Sequence, residues 1–137
     1  MLNIQDSMKE LFGNSCYGYC CSYVAEVKRD VKPNIHIMTT DFLNGWNKGW
    51  IDDDGFVAKP VPYLESMGMK IKDIKKPAIS KLSDLPNGLW IVEFKKTPDS
   101  KDSHFVVATK KKVIFDPSGN SVTVSVGKPV SYREFIY

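Results

Sequence analysis

Three residues in this chain have the types and the order needed to cleave an acyl bond through a thiol. Cys16 stands in Asn14-Ser15-Cys16-Tyr17-Gly18-Tyr19-Cys20, His104 opens the apolar run His104-Phe105-Val106-Val107-Ala108, and Asp116 follows Val113-Ile114-Phe115 and begins Asp116-Pro117-Ser118-Gly119. A thiol attacks a carbonyl well only as thiolate, so it needs an imidazole to take its proton and a helix N-terminus to stabilise the charge. The imidazole in turn needs a carboxylate or amide to hold its tautomer and orientation. Asp116 follows His104 by twelve positions, room for a strand, a tight turn at Lys110-Lys111-Lys112 and a returning strand. The two side chains are therefore expected at neighbouring strand ends.

For this chemistry Cys16 must open a helix, and the pattern behind it predicts one. From Cys16 to about Arg29, the residues Tyr19, Cys20, Tyr23, Val24 and Val27 fall on one helical face, and Val31-Lys32-Pro33 stops the run. Asn14 or Ser15 is the expected cap. Cys20, on the face of Val24 and Val27, reads as core and Cys21 as ambiguous, which leaves Cys16 as the exposed thiol. Residues 2–12 predict a further short helix closed by Gly13. Thr39 to Trp50 predicts a capped helix interrupted at Gly45 and Gly49, and Pro60 to Gly68 a short helix with Pro62 in its first turn. Asp52, Asp54 and Gly55 share part of a calcium loop's pattern, but the closing acidic residue is missing and a turn is expected. Trp46 and Trp50, with Tyr17 beside the thiol, are candidates to line a substrate cleft, with burial in the core as the competing reading.

After Met69 the pattern changes to β-branched and aromatic runs. Ile71 to Ile74, Leu89 to Phe94, His104 to Thr109, Val113 to Phe115 and Val122 to Val126 predict a twisted antiparallel sheet. Phe105 to Ala108 and Val113 to Phe115 read as central strands, Val122 to Val126 as a half-exposed one, and Trp90 as sheet core. The fold class expected is α+β, a helical N-terminal part carrying the nucleophile and packed on the sheet, in one domain over residues 1–137.

These motifs resemble the cysteine peptidase domains that trim double-glycine leader peptides on bacteriocin-exporting ABC transporters, and their stand-alone relatives. Those domains carry a helix-opening Cys-Gly-Pro-Ala-Cys, here Cys16-Tyr17-Gly18-Tyr19-Cys20. They also carry a His-Phe/Tyr-Val-Val strand, here His104 to Val107, and an apolar strand ending in Asp-Pro-x-x-Gly, here Asp116-Pro117-Ser118-Gly119 with one residue fewer. The resemblance implies a papain-like fold with Cys16 as nucleophile, His104 as general base and Asp116 as its orienting partner. It also implies an oxyanion-hole glutamine six residues before the nucleophile. Glu10 stands there, and Gln5 and Asn14 are the substitutes by chemistry.

Composition narrows the classes. The 137 residues are 42% hydrophobic and 26% charged, the balance of a globular protein, and 19 basic against 16 acidic residues give a net charge of +3. The lysines cluster beside turns, which predicts solvated hairpin tips and no nucleic-acid partner. Three cysteines within six residues make no disulfide framework, and no run reaches membrane-spanning length, so a reducing, cytoplasmic setting without a membrane partner is expected. The cysteines and two histidines fit no usual zinc spacing. His36, in Asn34-Ile35-His36-Ile37, reads as a structural or surface histidine. The expected activity is a cysteine peptidase or related thiol hydrolase acting on a peptide or protein substrate with no cofactor and no metal. A degenerate peptide-binding module and an acyl transferase or deamidase on the same fold are the alternatives.

Overall fold

A computed structural model describes residues 11–119 and 121–137, which divide into a helical unit ending at Lys70 and a sheet unit, Ile71–Tyr137. The architecture is α+β. Residues 11–13 are helical, and the rest of the expected 2–12 helix lies outside the described residues.

The helical unit contains α1 (Cys16–Lys28), α2 (Ile35–Asn47) and α3 (Pro60–Ser66). Helix α1 buries Tyr19, Cys20, Cys21, Val24 and Ala25 and ends where Asp30 takes a left-handed φ of 60°. The Val31 N–H then reaches back to the Glu26 carbonyl at 2.9 Å, the wrap that closes a helix with a left-handed residue. Val27, expected on the buried face, is exposed because it lies in this last turn. Helix α2 starts four residues before the expected Thr39, since the Asn34 side chain caps it by accepting the His36 N–H at 2.8 Å. It also runs through Gly45, because that position has no room for a side chain and stays helical against the Tyr63 ring.

Packing centres on Phe42 of α2, fully buried and stacked on Tyr19 with ring centroids 5.3 Å apart. Burying a phenylalanine completely is worth about 2–3 kcal/mol. Gly18 makes this approach possible: a Cβ there would lie 2.8 Å from the Phe42 ring. The fully buried Tyr63 of α3 donates its hydroxyl to the Gly18 carbonyl at 3.2 Å, and burial pushes its phenol above the ordinary range.

In the sheet unit β1 (Asp73–Lys75), β2 (Trp90–Lys95), β3 (His104–Ala108), β4 (Val113–Phe115) and β5 (Lys128–Ile136) form one antiparallel sheet in the order β1-β5-β2-β3-β4. Helix α4 (Val122–Val126) lies between β4 and β5 in sequence. One face buries Val92, Phe94, Val106, Ala108 and Tyr132 with Leu85, and Trp90, Val113 and Val124 pack against them. The other carries the buried Ile91, Val107, Ser131 and Arg133.

Several expectations are corrected here, and one strand is added to them. Val122 to Val126 is helical, because Ser121 caps it by accepting the Thr123 N–H and Val124 packs on the core cluster, which outweighs the strand preference of valine and threonine. Val113 to Phe115 forms an edge strand, with Ile114 exposed, because no strand among the described residues pairs beyond it in the sheet. The first strand begins at Asp73, two residues after the expected Ile71, because Ile71 is drawn into the core ahead of the β5 ladder. Strand β5, which the hydrophobic pattern does not reveal, lies between β1 and β2. Trp90 is half-buried, and its indole N–H donates to the Pro86 carbonyl at the rim of the core.

Glu26 generates a prediction. It is fully buried on α1; Oε2 accepts the Asn34 N–H at 3.1 Å, whereas Oε1 has no hydrogen-bond partner among the described residues. Burial raises its pKa, Asn34 opposes this, Asp41 adds to it and Arg29 opposes it. A carboxyl raised in the fold holds its proton more tightly there than when unfolded, so it lowers stability once the pH exceeds its unfolded value of about 4.3. Glu26→Gln should therefore stabilise the protein by about 1 kcal/mol at pH 8 in urea unfolding, with the difference shrinking toward pH 4.

Candidate active site

Cys16 is the first residue of α1, so its N–H has no acceptor within its own helix and lies at the positive end of the helix dipole. No acidic residue occupies that first turn. Cys16 is half-exposed, while Cys20 and Cys21 are fully buried, and all three are thiols. Ser15 stands at the N-cap, but its hydroxyl donates to the Phe12 carbonyl at 2.7 Å and does not cap the helix.

Asn14 donates its side-chain amide to the Asp54 carbonyl at 3.0 Å, which fastens the approach to Cys16 onto the 52–55 turn. Within that turn Asp52 Oδ1 accepts the N–H groups of Asp54 and Phe56, each at 3.0 Å. Gly55 has φ +92°, and a Cβ there would lie 2.0 Å from the Leu11 carbonyl oxygen. The aspartates of this segment thus build a turn that braces the residues ahead of Cys16. Trp46 is 42% exposed and donates its indole N–H to Asp53 at 2.9 Å, so it is not core. Trp50 and Tyr17 are half-buried, and Gln5 and Glu10 lie outside the described residues.

In the sheet unit, the hairpin closed by the Thr109 N–H to the Lys112 carbonyl brings His104 and Asp116 together. His104 Nε2 lies 2.7 Å from Asp116 Oδ1, with the side chains only 12% and 8% exposed. Asp116 is itself held: Oδ1 accepts the Ser118 N–H at 2.9 Å and Oδ2 the Ser121 N–H at 3.2 Å. A neutral imidazole bonded to a carboxylate through Nε2 carries its proton there and its basic lone pair on Nδ1. His36, the other histidine, is exposed near the start of α2.

Sequence reasoning did not single out a polar cluster beside His104. Ser103 donates its hydroxyl to Glu93 Oε2, and Ser131 donates to Glu93 Oε1 at 2.7 Å. Arg133 donates to Ser131 at 2.8 Å, lies 3.6 Å from Glu93 Oε1 and sits 5.0 Å over the Phe105 ring. Burial works against the Glu93 charge, but the two hydroxyls, Arg133 and Lys95 together hold its pKa below the ordinary carboxylate range. The only sequence signal was polar residues at alternate positions of Ser131-Tyr132-Arg133, in register with Glu93.

Among the described residues no group of three or more His, Cys, Asp or Glu side chains could hold a metal, and no helix is long and apolar enough to cross a membrane.

Two measurements follow. Asp116→Asn should lower the midpoint of the His104 imidazole titration by about one pH unit, followed by NMR, because it removes the negative charge that favours imidazolium. Gly55→Ala should cost about 3 kcal/mol in urea unfolding, since it combines left-handed strain with a backbone collision at Leu11.

No curated protein and no solved structure matches the chain. A family of proteins of unknown function, DUF261, matches residues 2–137. That match covers nearly the whole chain, and the chain belongs to DUF261.

Proposed function

We propose that the chain is a cysteine peptidase or related thiol hydrolase with a papain-like α+β fold, acting on a peptide or amide bond. The observation that carries this reading is the 2.7 Å link between His104 Nε2 and a triply hydrogen-bonded Asp116, which turns the lone pair to Nδ1. A structural histidine gains little from a partner fixed so firmly. A base that must accept and return a proton in one orientation gains a great deal.

In the proposed reaction His104 Nδ1 takes the Cys16 proton and the thiolate attacks the substrate carbonyl. The backbone N–H of Cys16 stabilises the oxyanion, with Gln5 or the second N–H of Asn14 as the further donor. Imidazolium then protonates the leaving amine as the C–N bond breaks, leaving a thioester on Cys16. Water, deprotonated by His104, attacks the thioester, releasing a carboxylic acid and regenerating the thiol. Asp116 steadies the imidazolium in both halves. Tyr17, Trp46 and Trp50 are the proposed substrate contacts. The substrate is a peptide or protein.

An activated peptidyl p-nitrophenyl ester tests this directly. The wild type should release a burst of p-nitrophenol stoichiometric with protein and form a Cys16 thioester visible by mass spectrometry. Cys16→Ala should give no burst, and His104→Ala should slow it by about a thousandfold. A full-length wild-type protein with no burst and no adduct across such esters would contradict the proposal.

A further inference from the structure

We propose that Glu93, acting through Ser103, is a positioning residue for His104. This inference rests on reading His104 as the general base and adds the means by which the sheet holds its backbone. His104 is the first residue of β3 and the end rung of its ladder with β2, paired with Phe94, and the β3–β4 pairing involves only Val107 and Ala108. The imidazole therefore hangs from a strand end supported on one side. Strand ends open at low cost, and a bond from Asp116 to the ring does not by itself fix the direction from which the side chain leaves the backbone.

The Glu93 cluster supplies that constraint from the opposite face of the sheet. Strand alternation places Ser103 and Phe105, the two neighbours of His104, on the face away from its imidazole. Glu93 lies directly across from Phe105 and from Ser131. Its carboxylate accepts from Ser103 with one oxygen and from Ser131 with the other. Arg133 lies over the Phe105 ring, so both neighbours of His104 are tied to β2 and β5. Ser131 and Arg133 are 8% and 6% exposed, and burying charge in this way is costly unless the partners are well placed. The cost is understandable if the cluster sets a residue whose orientation matters.

Ser103→Ala separates positioning from charge, because it leaves Glu93, Arg133, Lys95 and Asp116 in place. In NMR titrations of the folded protein the His104 midpoint should fall by about half a pH unit, part of the way to Asp116→Asn, as the ring loses alignment with Asp116. Ser103→Thr, which keeps the hydroxyl, should restore the wild-type midpoint, and Glu93→Gln should lower it at least as far as Ser103→Ala. An unchanged midpoint in Ser103→Ala, beside a clear fall in Asp116→Asn, would overturn the inference. The titration needs no substrate: a protein that shows this Ser103 dependence but gives no ester burst would refute the hydrolase reading alone.

Discussion

The carboxylate of Asp116 joins three short pieces of structure that could not hold themselves. It accepts from His104, from the Ser118 N–H and from the Ser121 N–H. Thus one side chain fixes the imidazole, the turn after β4 and the residue that caps α4. Strand β4 has three residues and α4 has five, lengths at which neither a ladder nor a helix is stable alone. Val124 and Val113 add apolar contact with the core cluster, and the Asp116 bonds set the register in which they reach it. The order of events in sequence, strand, carboxylate, cap, helix, is the physical reason that a histidine at the start of β3 has a fixed partner.

Two other carboxylates show how environment decides what a charge does in this protein. Glu93 has two hydroxyls and a guanidinium around it, which outweigh its burial and hold it ionised. The stabilisation it provides is present above its unfolded pKa of about 4.3 and is lost as the pH falls through its lower folded value. Glu26 is more deeply buried, has one backbone donor and faces the Asp41 charge. Its penalty disappears on acidification, so the two groups give opposite slopes in acid. Stability near pH 4 is a balance of the two, with one group in each unit.

Much of this was legible in the residues. The extent of α1 and most of its apolar face, the lysine hairpin, and the pairing of His104 with Asp116 across it follow from local rules of spacing and turn chemistry, whereas the expected Asn14 or Ser15 cap does not form. The errors arise where a distant partner decides. Val122 to Val126 alternates like a strand, yet Ser121 and the core contact of Val124 make it a helix. Strand β5 was hidden because Ser131 and Arg133 occupy buried positions, where a hydrophobic pattern expects apolar residues. Glu93, thirty-eight positions before Ser131, helps to make them tolerable there. The role of Asn14 was likewise set by the Asp54 carbonyl, forty residues away, and no local rule anticipates such a link.

The proposed function turns on proton exchange between the Cys16 thiol and the His104 imidazole. The most direct measurement is the pH dependence of iodoacetamide labelling at Cys16, read by peptide mass spectrometry in the wild type and in His104→Ala. Labelling that stays fast well below the ordinary thiol pKa of about 8.5, and collapses in the variant, is the predicted result. An ordinary thiol profile, unchanged by His104→Ala, would contradict the account.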